Sequence, residues 1–272
     1  GQKIFITWVD HDVADNIVHL VLARTEGAPD GHRGLSLFVA PKFLVNDDGT
    51  LGARNAITTV AVENKLGIHA SPTCVLEYEG ATGWLVGELH AGLAGMFVMM
   101  NSARITRLAC AGRLNCSTRT TTSTLLSAEV ADRAYQRAAE YAATRVQGRV
   151  VGMPDGTAIE QHPDVRRLLL GMSSMISAMR AFSVHVADLR DREAEDGNAA
   201  LVEFFVPILK SWFTEEGVRI ASDALQVHGG AGYIEETGAA QHYRDARIMP
   251  IYEGTTAIQA NDLIGRKTQR DG

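Results

Sequence analysis

The residues with the greatest capacity for chemistry lie in about the last fifty of this 272-residue chain. Gln226-Val227-His228-Gly229-Gly230-Ala231-Gly232-Tyr233 puts three glycines into four positions after a helical pattern. Glycine lets a ligand approach the backbone closely, and bare N–H groups can meet a phosphate. The spacing is not that of a G-x-G-x-x-G dinucleotide turn, and no strand pattern precedes it. The same run also reads as a plain glycine stop at a helix end. Further on, Arg244-Asp245-Ala246-Arg247 leads into Pro250-Ile251-Tyr252-Glu253-Gly254-Thr255. A lone carboxylate among apolar neighbours suits general-base work, and burial would raise its pKa toward that task. The other reading of Glu253 is a carboxylate set against the start of the next helix, or paired with Arg244 or Arg247.

The elements that must position these groups follow two different codes. Up to about residue 90 the chain is written in strands. Asn16 to Arg24, Gly34 to Pro41, Ile57 to Lys65 and Thr73 to Glu79 alternate or run apolar, with Pro29-Asp30-Gly31, Asp48-Gly49 and Gly80 as turns. They predict an antiparallel sheet or small barrel over 1–90. From Gly92 the apolar residues fall at helical spacing. Glu129 to Gln147 carries Val130, Ala134, Tyr135, Ala138, Tyr141 and Ala142 on one stripe. Pro163 opens a longer helix with Val165, Leu168, Leu169, Met172, Met175, Met179, Phe182 and Val186 at spacings of three and four. Leu201 to Leu225 is a third helix, with Pro207 kinking it or near its start. A last one begins near Thr255, whose hydroxyl can cap it. The fold class is therefore α+β: a partial antiparallel, barrel-like β-domain over 1–90, then an α-helical bundle over 91–272.

One stretch stands apart. Thr106 to Ser127 (TRLACAGRLNCSTRTTTSTLLS) holds six Thr, three Ser and two of the three Cys, and reads as an inserted loop inside a bundle. Gln2 to Thr7 reads as mid-strand from the chain's second residue onward, so the chain is expected to be a piece of something longer. The formal charge of −6, with 26 Lys plus Arg against 32 Asp plus Glu, provides no basic stripe for nucleic acid. No apolar run is long enough to span a membrane. Three cysteines make no disulfide framework, which suggests a reducing, cytoplasmic setting.

The order of these segments resembles the acyl-CoA dehydrogenase family. Gly1-Gln2-Lys3-Ile4-Phe5-Ile6-Thr7 is similar to the strand that passes the flavin in the family's middle β-domain. Lys65 to Thr73 (KLGIHASPT) is similar to a loop near that domain's end, and Met99 to Arg104 (MMNSAR) to the first helix of the bundle. Gln226 to Tyr233 and Ile251 to Thr255 resemble the two C-terminal signatures. The resemblance covers nearly the whole chain, with Thr106 to Ser127 lying outside it. It implies FAD as cofactor and an acyl-CoA substrate. Glu253 would be the base that takes the α-proton, with Gly254 turning the chain beside the substrate. Phe5 and Thr7 would lie against the flavin ring. Arg145, Gln226, Gly229, Gly230 and Thr255 would hold the diphosphate and adenosine end, partly across a subunit interface. Ser71, Asn101 and Arg104 would touch the thioester ligand. A homo-oligomer and an electron-transferring flavoprotein as acceptor are implied as well. Two other readings stay open: an acyl-CoA oxidase, and a catalytically silent fragment that acts only by association.

Overall fold

The structure is a computed structural model that describes residues 1–105 and 123–269; for 101–105 and 123–125 it describes the backbone. Those residues fall into two compact units, Gly1–Met100 and Asn101–Gly272.

The first unit holds strands β1 (Gln2–Thr7), β2 (Val18–Arg24), β3 (Leu35–Pro41), β4 (Phe43–Val45), β5 (Leu51–Arg54), β6 (Ile57–Val62), β7 (Thr73–Tyr78) and β8 (Trp84–Val86). All pairings among them are antiparallel, in the orders β1-β7-β6, β2-β3-β8 and β4-β5. The expected strands are present, but the barrel is corrected: no closed sheet forms among the described residues. Irregularities in register interrupt β1 between Lys3 and Ile6 and β6 between Thr59 and Ala61. Pro41 ends β3 with a residue that has no N–H to offer a further pairing. Each break bends a strand and stops the ladder from closing. A small core of Val9, Ala40, Ile57, Cys74 and Leu76 draws on both three-stranded sheets. The turn at Asp48-Gly49 joins β4 to β5, a hairpin that the alternation pattern did not reveal. Gly49 supplies the left-handed φ of 83°, and the Thr50 hydroxyl donates to Asp48 at 2.6 Å.

Helix α1 (Gly92–Ile105) begins against β3, where a side chain at Gly92 would lie 2.5 Å from the Ser36 backbone. The second unit is built from α2 (Ser123–Thr144), α3 (Pro163–Asp191), α4 (Glu193–Asp196), α5 (Ala199–His228), α6 (Ala239–Ala246) and α7 (Thr256–Asn261). A π-helical turn, Asp262–Thr268, follows α7. Residues 106–122 of the expected inserted loop lie outside the described residues. Its last five, Ser123 to Ser127, are helical and open α2. Ser127 is fully buried, beside Gly217 of α5.

The bundle packs around α5. Val202, Val206, Leu209, Phe213, Gly217, Ile220, Ala224 and Val227 recur every three or four residues and are all buried. Against them α2 presents Ser127, Ala131, Ala134, Ala138 and Ala142, all buried. Helix α3 contributes the larger Leu168, Met172, Ile176, Met179 and Val186. Pro207 lies inside α5 rather than at its start. Pro163 stands in the first turn of α3, as the sequence predicts. Phe213 is fully buried between two partners of the bundle's aromatic cluster, Phe182 and Trp212. Phe213→Ala should lower unfolding free energy by about 3–5 kcal/mol. A urea titration following bundle helicity will show a midpoint shift of that size, and an unshifted midpoint would refute this packing.

Candidate functional site

Three groups of the sequence-predicted residues can be placed. The first lies in the strand unit. Thr7 of β1 pairs with Thr73 of β7, and the Trp8 N–H donates to the Pro72 carbonyl at 3.2 Å. This brings Thr7 to the same sheet end as Ser71, whose carbonyl accepts from the Lys65 ammonium. Phe5 sits in the register break of β1 with φ 58° and is 68% exposed. A left-handed aromatic costs about 1–2 kcal/mol and turns outward where an ordinary strand would alternate. Trp8, with φ 59°, repeats the departure and is also exposed. Sequence reading missed Trp8, whose signal was an aromatic directly after the hydroxyl of Thr7.

The second group forms a cleft of about 520 Å³ in the helical unit. Arg145 follows the end of α2. Its N–H donates to the Tyr141 carbonyl and its own carbonyl accepts from Ile159, so the backbone is pinned on both sides. The guanidinium donates to Gln147 at 2.8 Å. Opposite, α5 stops at His228. The imidazole stacks on Tyr141 with centroids 4.7 Å apart, and its Nδ1 donates to the Ala224 carbonyl at 2.8 Å. Gly229 then takes φ 56°. A Cβ at Gly229 or Gly230 would meet nothing within 4 Å, so their backbone is open, whereas one at Gly232 would lie 2.7 Å from the Leu225 carbonyl. The glycines thus serve both readings at once: a helix stop and an open cradle. Gln226 is exposed one turn earlier and does not line the cleft. Sequence reading missed Tyr141, Gln147, His162 and His228 as cleft residues.

The cleft lies in a positive neighbourhood. Burial pushes the His242 imidazole below its ordinary range, and the charges of Arg137, Arg133 and His228 push it the same way against Asp245. A guanidinium, imidazoles and glycine backbone with no Cβ in the way are groups that a dianionic diphosphate can approach closely.

The third group is the loop between α6 and α7. It is held by short turns: Met249 N–H to Ala246, Ile251 and Tyr252 N–H to Ile248, and Thr256 N–H to Pro250. Met249 is fully buried and Tyr252 half-buried. Burial, and then the Glu253 carboxylate, push the Tyr252 phenol above its ordinary range. Glu253 itself is exposed. Met249 and Pro250 take the interior while Ile251 is exposed, and Glu253 reverses the chain with φ 54°, followed by Gly254 at 97°. Holding glutamate there costs about 1–2 kcal/mol. Thr255 caps α7, its hydroxyl accepting from the Ile258 N–H. Arg244 donates to Glu235 at 2.6 Å. Asn101 and Arg104 fall on α1, with side chains outside the described residues.

With this geometry in hand, the comparisons are specific. The family model for the acyl-CoA dehydrogenase C-terminal domain matches residues 94–267. A 3-methylmercaptopropionyl-CoA dehydrogenase of Ruegeria pomeroyi is 50% identical across 100% of this chain and 45% of its own length. A butyryl-CoA dehydrogenase of Syntrophomonas wolfei is 38% identical across 98% of this chain and 44% of its own. The crystal structure of Caenorhabditis elegans ACDH-11 in complex with C11-CoA superposes with TM-score 0.74 at 28% identity, covering 100% of this chain and 42% of that one. The chain therefore belongs to the acyl-CoA dehydrogenase family, and it spans less than half the length of these relatives.

The lowered His242 has a consequence for stability. Between its folded value and the unfolded 6.5, the unfolded chain binds more protons. Stability is therefore full above about pH 6.5 and falls as pH drops toward the folded value. His242→Gln should flatten that acid loss in thermal midpoints measured from about pH 7.5 to pH 5.5. Equal losses in both proteins would contradict it.

Proposed function

We propose that this chain carries the catalytic base and part of the cofactor site of an FAD-dependent acyl-CoA dehydrogenase. Residues 1–90 would belong to its middle β-domain and 91–272 to its helical bundle. The observation that carries the reading is Glu253: an exposed carboxylate held in a left-handed turn at the head of a partly buried loop, within the region matched to the family.

The α-proton of an acyl thioester is weakly acidic, so its removal needs a fixed base and hydrogen bonds to the thioester carbonyl. Glu253 is the base in this reading. Its own backbone N–H, in the turn set by the positive φ and by Gly254, would donate to the developing enolate oxygen. Position supplies much of the rate, because base and hydride acceptor must flank one Cα–Cβ bond. FAD, when bound, accepts the β-hydrogen as hydride at its N5.

The cleft residues fit that cofactor. Arg145, Gly229 and Gly230 would take its diphosphate, with Gln226 and Thr255 toward the adenosine end, and Phe5 and Thr7 would lie against the ring. These groups are all exposed, which supports donation across a subunit interface in a homo-oligomer. Ser71, Asn101, Arg104 and Gly254 are assigned to the acyl-CoA, a ligand class named for the ACDH-11 complex. An electron-transferring flavoprotein is the acceptor implied by the family resemblance. The free, buried thiol of Cys74 supports a reducing cytoplasmic setting.

The visible spectrum of the purified chain, with and without added FAD and a panel of saturated acyl-CoA thioesters, tests this directly. Flavin absorbance that bleaches with a thioester is the expected result; protein that stays colourless with added FAD would overturn it. Glu253→Gln should keep the flavin colour and slow bleaching by about 10²–10⁴-fold. Arg145→Ala should instead weaken FAD binding on the order of tenfold, read by flavin fluorescence during dilution.

A further inference from the structure

Helix α5 carries a lysine in its buried face. Lys210 is 1% exposed, in the same helical stripe as Leu209 and Phe213. A buried ammonium is tolerated only when its donors are accepted. Its Nζ crosses to the loop between α6 and α7, donates to the Met249 carbonyl and lies 5.5 Å from the Tyr252 ring centroid. The ring face and the carbonyl together replace part of the lost water. Five residues along α5, Glu215 accepts a hydrogen bond from the Thr256 hydroxyl at 2.6 Å. One helix thus reaches the loop at two points, four residues before Glu253 and three after it. Between those points the chain runs through two consecutive residues with positive φ, Glu253 and Gly254. A glutamate stays in that region only where its surroundings over-determine it.

We propose that Lys210 and Glu215 of α5 form a two-point bracket that holds the Met249–Thr256 loop and sets the orientation of Glu253, so that Lys210 is a positioning residue for the base. The orienting role rests on the reading of Glu253 as base; the bracket itself does not. Lys210 works from the buried side through the backbone of Met249. Glu215 works from the exposed side through the first residue of α7. Neither needs to touch the substrate.

Lys210→Met keeps the length and apolar stem of the side chain and removes its donors. Thr256→Val keeps the shape of its side chain and removes the hydroxyl. Hydrogen exchange by mass spectrometry, on the whole chain without substrate, should show amides of 248–256 exchanging about tenfold faster in each variant. Those of 168–180 in α3 should stay as in the parent. Loop exchange equal to the parent in a folded variant overturns the bracket. If Lys210→Met does not fold, Thr256→Val decides by the same criterion.

A second readout separates positioning from plain stability. At saturating thioester, bleaching in either variant should slow on the order of tenfold, the size expected for one charged hydrogen bond. The half-saturating thioester concentration should stay within about twofold. A changed half-saturation at unchanged maximal rate would overturn the positioning role. If the parent chain never bleaches, the dehydrogenase reading fails, and the exchange comparison still decides the bracket.

Discussion

Helices α2 and α5 lie close because the most deeply buried positions of α2 carry nothing larger than serine or alanine, the larger Tyr141 meeting His228 only where α5 ends. Ser127, Ala131, Ala134, Ala138 and Ala142 follow one another along its buried face. At Gly217 a single added carbon would lie 3.3 Å from the Ser127 Cβ and 3.2 Å from its carbonyl. Close packing of this kind leaves little room for sliding, since a shift of one residue would set larger side chains against backbone. The position of α5 follows from it. So do the places where α5 stops at His228, where Lys210 points and where Glu215 emerges. Helix α3 fills the remaining side with leucine and methionine, which adapt their shape to a gap already set.

Local preference is overruled at five non-glycine residues among those described, Ile68 and His90 as well as the three that follow. Phe5, Trp8 and Glu253 all hold positive φ without being glycine. In each case longer-range contacts maintain the conformation. The pairing of β1 with β7 resumes at Ile6 and Thr7 after the irregularity. The Glu253 loop is tied by its own turns and by α5 on both sides. Strain at these points is consistent with exposed side chains that an ordinary strand or helix end would have aimed differently. Gly229 shows the contrast: the same left-handed φ falls on a residue that adopts it without penalty.

Sequence legibility follows the same division. The stripe in α3 was readable because 3.6-residue spacing depends on side chains alone, and four of its eight predicted positions are fully buried with the rest packed at the edge. The cap at Thr255 and the Pro163 start were readable because each is a one-residue chemical rule. Helix α6 went unread: in eight residues it offers Ala239 and Ala246 as its buried contacts, too little for a period to show. The bulge at Phe5 was invisible, because apolar residues on either side of it look like continuous strand. The exposure of Glu253 was unreadable for a related reason. Its apolar neighbours are real, but Met249 and Pro250 take the interior, and a backbone reversal separates the carboxylate from that interior.

The chain's net charge is −6, yet Arg145, His162 and His228, which line the cleft, are all basic. His242 feels Arg137, Arg133 and His228 together, with Asp245 as the opposing carboxylate. Like charges held on a rigid bundle repel at a cost that folding alone does not repay. The glycines leave open backbone at the end of a thirty-residue helix, where the Gly229 N–H donates to the Gln226 carbonyl. Nearby carboxylates are committed elsewhere: Glu235 to Arg244 and Asp132 to Arg180. An arrangement of this kind lowers its free energy when a polyanion arrives and spreads its charge over several donors. The cleft's cationic lining and its open glycine backbone both suit the diphosphate proposed for it.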